Sequence, residues 1–560
     1  MLGIAKKSKG RARKDKQGMN SAKTKAPKAK KSKETSAKAV KAKENAKPPV
    51  KEKKKPAEEK KKEKTIEKYG FNADKIPVRV MISDEGDYVY HYRIFLPEVS
   101  QTTRVVMNNV KAGLVENIEI GAREILDTKL FAELRKKFRD NAGDALESEL
   151  PHLEEDVKEM LSSMIVNEMV GLGELEIFLA DDNLEEVVVN SSRDPIWVYT
   201  KNYGWLKSNV VIPSEEDIQN LASRIARQVS REITSASPML DAHLVSGDRA
   251  NSTLFPVSTE GNTITIRRFS RIPWTITQLL ETKTLNAELA SMLWLAIEYE
   301  LSMLVSGGTA SGKTSVLNAL MPFIQPNHRI ISIEDTRELN LPSFLQWVPM
   351  STRPPNPRGE GGVSMLDLME NSLRMRPDRI IVGEVRRKRE AEVLFEAMHT
   401  GHSVYGTFHA DSADELIKRF TNPPIDVPKT VMESLHLILV QYRNRRLGFR
   451  RTFELAEVLR TEGDEPKTNT LFRWSAKSDT IKKDRWSERL FGEVGLHSGL
   501  NRNELTKDLD EKVEVLNWLV KKGIKDVENV GRVSSAYYKD RDIVLKTARK
   551  GGDVKDLERI

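Results

Sequence analysis

The chain has 560 residues, of which 39% are hydrophobic, 31% charged and 6% aromatic, and none is cysteine. That length exceeds what one hydrophobic core usually serves, so two to four domains are expected. The missing cysteines exclude a disulfide framework, thiolate catalysis and any Cys-ligated zinc or iron–sulfur site, and a reducing compartment fits best.

No apolar run is long enough to span a bilayer; the richest, from Met292 to Val305, is broken by Glu298 and Glu300, so an integral membrane protein is not expected. The formal charge of +9 hides a division: residues 1–68 carry 26 Lys and Arg against 8 Asp and Glu, and the rest carries 65 against 74. Residues 1–68 also lack Phe, Trp and Tyr and repeat a Lys, Ala, Ser, Pro and Glu vocabulary. They cannot bury enough apolar area to offset backbone ordering, and a disordered tail is expected there. Such a tail could attach to an anionic membrane surface or to nucleic acid, or simply stay solvated. It has neither the apolar core of a secretory signal nor the Arg-rich amphipathic face of a transit peptide.

Residues 69–160 are expected to be a helical N-terminal region, on the patterns at 130–138 and 153–170. An α+β domain is expected over 161–275, where Val187-Val188-Val189, Ile196-Trp197-Val198-Tyr199 and Thr263-Ile264-Thr265-Ile266 read as strands. Pro273 and the polar run 281–284 bracket a linker at 276–285. Over 286–460, runs at 301–306, 315–320, 329–333, 365–373, 379–382 and 391–398 alternate between strand and helix, as parallel β/α units do. Residues 461–560 are expected to be helical, with Val513, Leu516, Leu519 and Val520 at helical spacing.

The chemistry concentrates in the α/β part. Gly307, Gly308, Thr309, Ala310, Ser311, Gly312, Lys313 and Thr314 match G-x-x-x-x-G-K-[ST] between an apolar strand and a helix that opens through Ser315. The glycines allow the backbone N–H groups to face an anion; Lys313 would bridge the β- and γ-phosphates, and the Thr314 hydroxyl would ligate Mg²⁺. Hydrolysis also needs carboxylates at neighbouring strand ends. The run 329–333 ends in Glu334-Asp335, and 379–383 ends in Glu384. Three of nine histidines, His399, His402 and His409, fall within eleven residues. Without H-E-x-x-H spacing a zinc site is the weaker reading, beside a strand-end network that senses the γ-phosphate or a structural role for His399.

In this order the residues resemble the P-loop ATPases of type II and type IV secretion systems, which also drive type IV pilus and archaellum assembly. Four signatures carry the resemblance: the phosphate loop; Ile333-Glu334-Asp335-Thr336-Arg337-Glu338-Leu339 as the Asp box; Leu373-Arg374-Met375-Arg376-Pro377-Asp378 running into Gly383-Glu384-Val385-Arg386 as the Walker B region; and the His box from Thr400-Gly401-His402 to His409-Ala410. The likeness extends upstream through Gly171-Leu172-Gly173-Glu174-Leu175, Gly247-Asp248-Arg249 and Ile266-Arg267-Arg268-Phe269, covering roughly 160–460, and Trp518 to Ile524 with Tyr537-Tyr538 resembles the archaeal branch.

The resemblance implies a RecA-like ATPase domain behind a mixed N-terminal domain, in a cytoplasmic homohexamer on the membrane face. ATP and Mg²⁺ would lie between the domains, and the work would be filament assembly or export on a polytopic inner-membrane platform protein. It implies that Glu384 orients or activates water, that Glu334 assists at the metal, and that Thr314, Glu334 and Glu384 hold Mg²⁺. His402 and His409 would couple nucleotide state to the subunit interface, and Arg249, Arg267 and Arg268 would approach the phosphates. Where the family often has Gly after the Walker B Arg, this chain has Arg387-Lys388-Arg389 before Glu390, so a late helix start is expected. The basic tail lies outside the family pattern. A nucleic-acid motor or packaging ATPase using that tail is the alternative, disfavoured by a net acidic remainder and a tail without aromatics; a small-molecule P-loop kinase is a third.

Overall fold

The computed structural model describes residues 64–117, 128–200, 202–229, 231–244, 247–268, 273–355, 359–460 and 466–557. Most of the stretch expected to be a disordered tail lies outside those residues. Its last five, 64–68, open strand β1 (Lys64–Ala73) instead. Ile66 packs on the apolar core beneath, and Glu67 accepts a 2.8 Å hydrogen bond from Tyr203 Oη, so the charge-rich composition there conceals an alternating strand.

β1 turns into β2 (Ile76–Asp84) across Asp74 and Lys75, both with positive φ, as a two-residue hairpin turn requires. β3 (His91–Phe95) follows antiparallel to β2. The region expected to be helical from residue 69 therefore begins as a three-stranded meander. Only afterwards come helices Gln101–Asn117, Thr128–Glu149 and Glu155–Met169, which enclose a core of their own around Leu134, Phe138, Leu146 and Ile165. β4 (Leu184–Val189), β5 (Trp197–Thr200), β6 (Gly204–Ser208), β7 (Met239–His243), β8 (Arg249–Thr253) and β9 (Thr263–Arg267) complete a nine-stranded sheet in the order β1-β2-β3-β6-β5-β4-β9-β8-β7.

The segment expected to be a linker is not one. Helix Ile276–Glu281 starts from a capping box between Thr275 and Gln278, and Ile276, Leu279 and Leu285 are buried in the next core. Their apolar faces outweigh the polar run that suggested a linker.

The second sheet contains β10 (Met303–Gly307), β11 (Arg329–Glu334), β12 (Gln346–Ser351), β13 (Arg379–Val382), β14 (Ser403–Phe408), β15 (Leu437–Arg443), β16 (Arg450–Leu459), β17 (Lys467–Ser475) and β18 (Thr480–Lys483). Its order is β12-β11-β13-β14-β10-β15-β16-β17-β18, parallel as far as β15 and antiparallel beyond. This is the α/β arrangement of a P-loop domain, with β10 buried along its whole length between two helical layers. Met303 and Val305 face one layer and Leu304 the other.

Residues expected to be helical after 461 supply β17 and β18, because β17 satisfies its backbone on the edge of β16 and β18 on the edge of β17. The helices Arg489–Ser498, Arg502–Lys521, Val527–Lys539 and Arg541–Lys550 then pack into the same core as helix Ala287–Glu298. Trp294 stacks on Phe323 at 4.6 Å and donates from its indole to Tyr538 Oη at 2.7 Å. Lys512 is wholly buried there, bound to Asp508 and, at 2.9 Å, to Glu298. No helix among the described residues is long and apolar enough to cross a membrane.

Candidate functional site

β10 delivers its last residue, Gly307, beside Gln441 of β15. A Cβ at Gly307 would lie 2.3 Å from the Gln441 carbonyl oxygen, at a φ of +142°, so no side chain fits. The chain then winds through Ala310 (φ +58°) to Gly312 (φ +92°), which begins helix Lys313–Leu320. A helix start leaves its first N–H groups without intrahelical partners, here at the mouth of a tight loop where an anion can use them. Gly308, Gly312 and Thr314 are half-buried, while Thr309, Ala310 and Ser315 are exposed.

Lys313 is buried at the centre. Its Nζ donates to the carbonyls of Gly307 at 3.1 Å and Gly308 at 3.2 Å, and lies 3.3 Å from His409 Nδ1. Burial lowers its pKa, with the Glu384 charge the main opposing influence. Ser311 Oγ is buried without a hydrogen-bond partner among the described residues, the condition of a group that faces an absent polar ligand.

The strand ends bring the acidic groups to this loop. His409, just past β14, lies 2.7 Å from Glu384 Oε1 through Nε2, so one imidazole bridges Lys313 and Glu384. The two contacts act in opposite directions: burial and the Lys313 charge depress the ring's pKa, and Glu384 opposes them. Glu384 follows β13, and β11 alongside ends in Glu334. The two adjoin closely, since a Cβ on Gly383 would lie 3.3 Å from Glu334 Cα. Glu334 accepts from the N–H groups of Glu338 (2.8 Å) and Leu339 (3.1 Å) through Oε1, while its buried Oε2 has no hydrogen-bond partner among the described residues. Burial pushes its carboxyl up to about 7. An unsatisfied hydroxyl and an unsatisfied carboxylate oxygen at a Gly-Lys loop fit a triphosphate with a hard divalent cation, for which Thr314, Glu334 and Glu384 offer oxygen ligands.

The three candidate arginines part company. Arg249, first in β8, is held by Asp241 at 3.0 and 2.7 Å, which raises its pKa, and the Asp335 charge adds to the rise. Arg267, last in β9, reaches the Asp box through Glu338 at 3.3 Å. Arg268 does not approach. Its guanidinium is almost wholly buried, bonded to the carbonyls of Asp181 and Leu184 and to Asp182. Adjacent strand residues point to opposite faces, and neighbours in sequence cannot both look across the cleft. His402 is likewise apart, at the start of β14 with its Nδ1 near Thr400 and the Ala397 carbonyl, a strand's length from His409. His399 ends helix Lys388–His399 rather than joining a cluster.

That helix starts at Lys388, directly after Arg387. Glu390 makes this possible by accepting from the N–H groups of Arg386 (2.9 Å) and Arg387 (3.1 Å). Arg386 itself clamps the site: it binds Glu384 Oε2 through Nε at 2.8 Å and through Nη2, and Asp335 at 2.7 Å. Arg386 was read in the sequence as the Walker B arginine but given no role in the site, although its place two residues beyond Glu384 was a usable signal. Arg450, which donates to the Ala310 carbonyl at 3.2 Å, had none.

Residues 168–463 match the model of the family described as type II/IV secretion system protein. An uncharacterised protein of Methanocaldococcus jannaschii is 33% identical over 399 residues, covering 69% of each chain. The type IV secretion system protein PtlH of Bordetella pertussis is 32% identical over 270 residues, 44% of this chain and 78% of that one. Among solved structures, the VirB11 ATPase of the Brucella suis type IV secretion system is 25% identical over 50% of this chain and 91% of its own, with a TM-score of 0.26.

Proposed function

The chain belongs to the type II/IV secretion system protein family, and on that premise we propose that it is an ATP-hydrolysing, Mg²⁺-dependent motor. The observation that carries the reading is the bridge from Lys313 Nζ through His409 to Glu384, which ties the phosphate loop to a carboxylate two strands away. Lys313 neutralises the transferred phosphoryl group. The loop N–H groups orient it, and Glu384, steadied by His409 and Arg386, orients the attacking water. Arg249 and Arg267 bring positive charge from the first sheet. Thr314, Glu334 and Glu384 would hold Mg²⁺, which would supply charge neutralisation at the phosphates. His402, distant from these groups within one chain, keeps its proposed interface role only between subunits.

The motor works as a homohexamer on the cytoplasmic face, docks on a polytopic platform protein and powers pilus-like filament assembly or export. The Lys-rich N-terminal residues add attraction to anionic lipid. The test is purified full-length chain with MgATP, followed for phosphate release and for mass by native mass spectrometry, with and without anionic vesicles and DNA. Turnover by a six-subunit species, stimulated by vesicles, is expected. Stimulation by DNA alone, with steep salt dependence, would replace the export reading with a nucleic-acid motor. Failure to bind nucleotide would end both.

A further inference from the structure

The hairpin joining β15 to β16 carries Arg443, Arg445, Arg446 and Arg450, and none of the four lies within 4 Å of a carboxylate among the described residues. Arg443 and Arg450 are also directly opposed across the ladder, a like-charge register that weakens a hairpin. The strand pair therefore gains nothing from that pairing, and Arg443 and Arg450 are each bonded outside the ladder. Arg450 donates through Nε to the Ala310 carbonyl at 3.2 Å, and its Cδ lies 3.3 Å from where a Cβ on Gly312 would stand. Its stem thus lies along the outside of the phosphate loop. Arg443 donates to Tyr199 Oη, in β5 of the first sheet, at 2.9 Å.

The hairpin between them is stiff. Asn444 accepts through Oδ1 from the N–H groups of Arg446 (3.1 Å) and Leu447 (3.0 Å), and its own N–H donates to the Phe449 carbonyl at 2.9 Å. Next along, Arg451 is held by Asp479 through two hydrogen bonds of 2.8 Å.

We propose that this hairpin is a strut that sets the posture of the phosphate loop from the first sheet, with Arg450 as the positioning residue for nucleoside di- and triphosphate binding. Ala310 holds a left-handed backbone conformation that a residue with a Cβ adopts only when its surroundings impose it. Drawing its carbonyl outward leaves the loop's N–H groups directed inward at the phosphates. This role rests on the loop binding nucleotide as proposed above. It predicts an effect on affinity shared by ADP and ATP, because a loop held from outside favours every phosphate it cradles.

The test measures ADP and ATP affinity by calorimetry, beside steady-state hydrolysis and melting temperature, for the full chain and for Arg450→Met, Arg450→Lys and Tyr199→Phe. Arg450→Met keeps the stem and removes the donor; both affinities should fall about tenfold, the effect of one charge-assisted hydrogen bond. KM should rise in parallel while kcat falls less than about threefold. Arg450→Lys should restore most of the loss, and Tyr199→Phe should weaken both nucleotides by a smaller factor without changing the melting temperature. Unchanged affinities in Arg450→Met would overturn the strut, as would weakened ATP with unaltered ADP, which would put Arg450 on the γ-phosphate. Should Arg450→Met not fold, Tyr199→Phe decides: unaltered affinities there overturn the coupling. A wild-type chain that binds neither nucleotide refutes the ATPase reading and the strut together, whereas a wild type that binds alongside indifferent variants refutes the strut alone.

Discussion

Replacing Lys512 by Met should cost the protein about 3 to 5 kcal/mol, the usual result of removing one partner from a buried ion pair. Lys512 is wholly buried, binds Asp508 and, at 2.9 Å, Glu298, and its Nζ lies 4.9 Å from the ring centre of Tyr537. Without it Asp508 still has Arg541 at 3.2 Å and the Tyr537 hydroxyl at 3.0 Å, but Glu298 loses its only ion-pair partner among the described residues. Most of the penalty therefore belongs to Glu298, whose carboxyl burial already pushes above its ordinary pKa. Lys512→Met with Glu298→Gln should then recover all but about 1 to 2 kcal/mol, a regain of about 1 to 4 kcal/mol that shows the two sites are coupled. Urea unfolding followed by tryptophan fluorescence reads this, since Trp294 lies 5.7 Å from Lys512. The reasoning fails if the single variant costs under about 1 kcal/mol or if the double variant is no more stable than the single. The point concerns function as well as stability, because Glu298 ends the helix that leads into the phosphate strand.

Glu384→Gln keeps the size of the group and its contact with His409 but cannot polarise water; phosphate release should drop about 10²- to 10⁴-fold with nucleotide affinity retained. Equal turnover would remove Glu384 from the chemistry. Arg268→Gln should lower stability by about 2 to 3 kcal/mol in denaturant, through its buried carbonyl partners, and leave KM for ATP alone; a large KM effect at unchanged stability would contradict its placement. Burial works against ionisation of Glu493, yet hydrogen bonds and charge from His436 and Arg489 hold its pKa down to about 2. A depressed carboxyl stabilises the fold fully above its ordinary value of 4.5 and loses that contribution as pH falls towards 2. Glu493→Gln should thus cost about 2 kcal/mol at pH 7 and progressively less in acid, a half-buried group being partly screened. A cost independent of pH, measured by urea titration from pH 7 down to pH 3, would speak against the ion pair.

The geometry of the Gly-Lys loop was legible from residues alone because it is local: a glycine-rich turn between an apolar strand and a helix start places Lys313 wherever the strand ends. The carboxylates were legible for a related reason, since residues closing the strands of a parallel sheet must emerge along one edge. Beyond that, neighbours in sequence gave no guide. Arg267 and Arg268 look alike in the chain, and only strand pleat decided that one crosses to the Asp box while the other is buried in its own sheet. His402 and His409 share a motif, yet six residues of extended strand separate them. Residues 64–68, 276–285 and 467–483 carried linker-like or charged composition and became ordered because a partner strand or core lay waiting for them. Arg450 shows the limit most plainly. Local sequence dictates which backbone shapes are affordable, but which groups from 140 residues away come to rest against the phosphate loop is settled by strand order, a property of the assembled sheet.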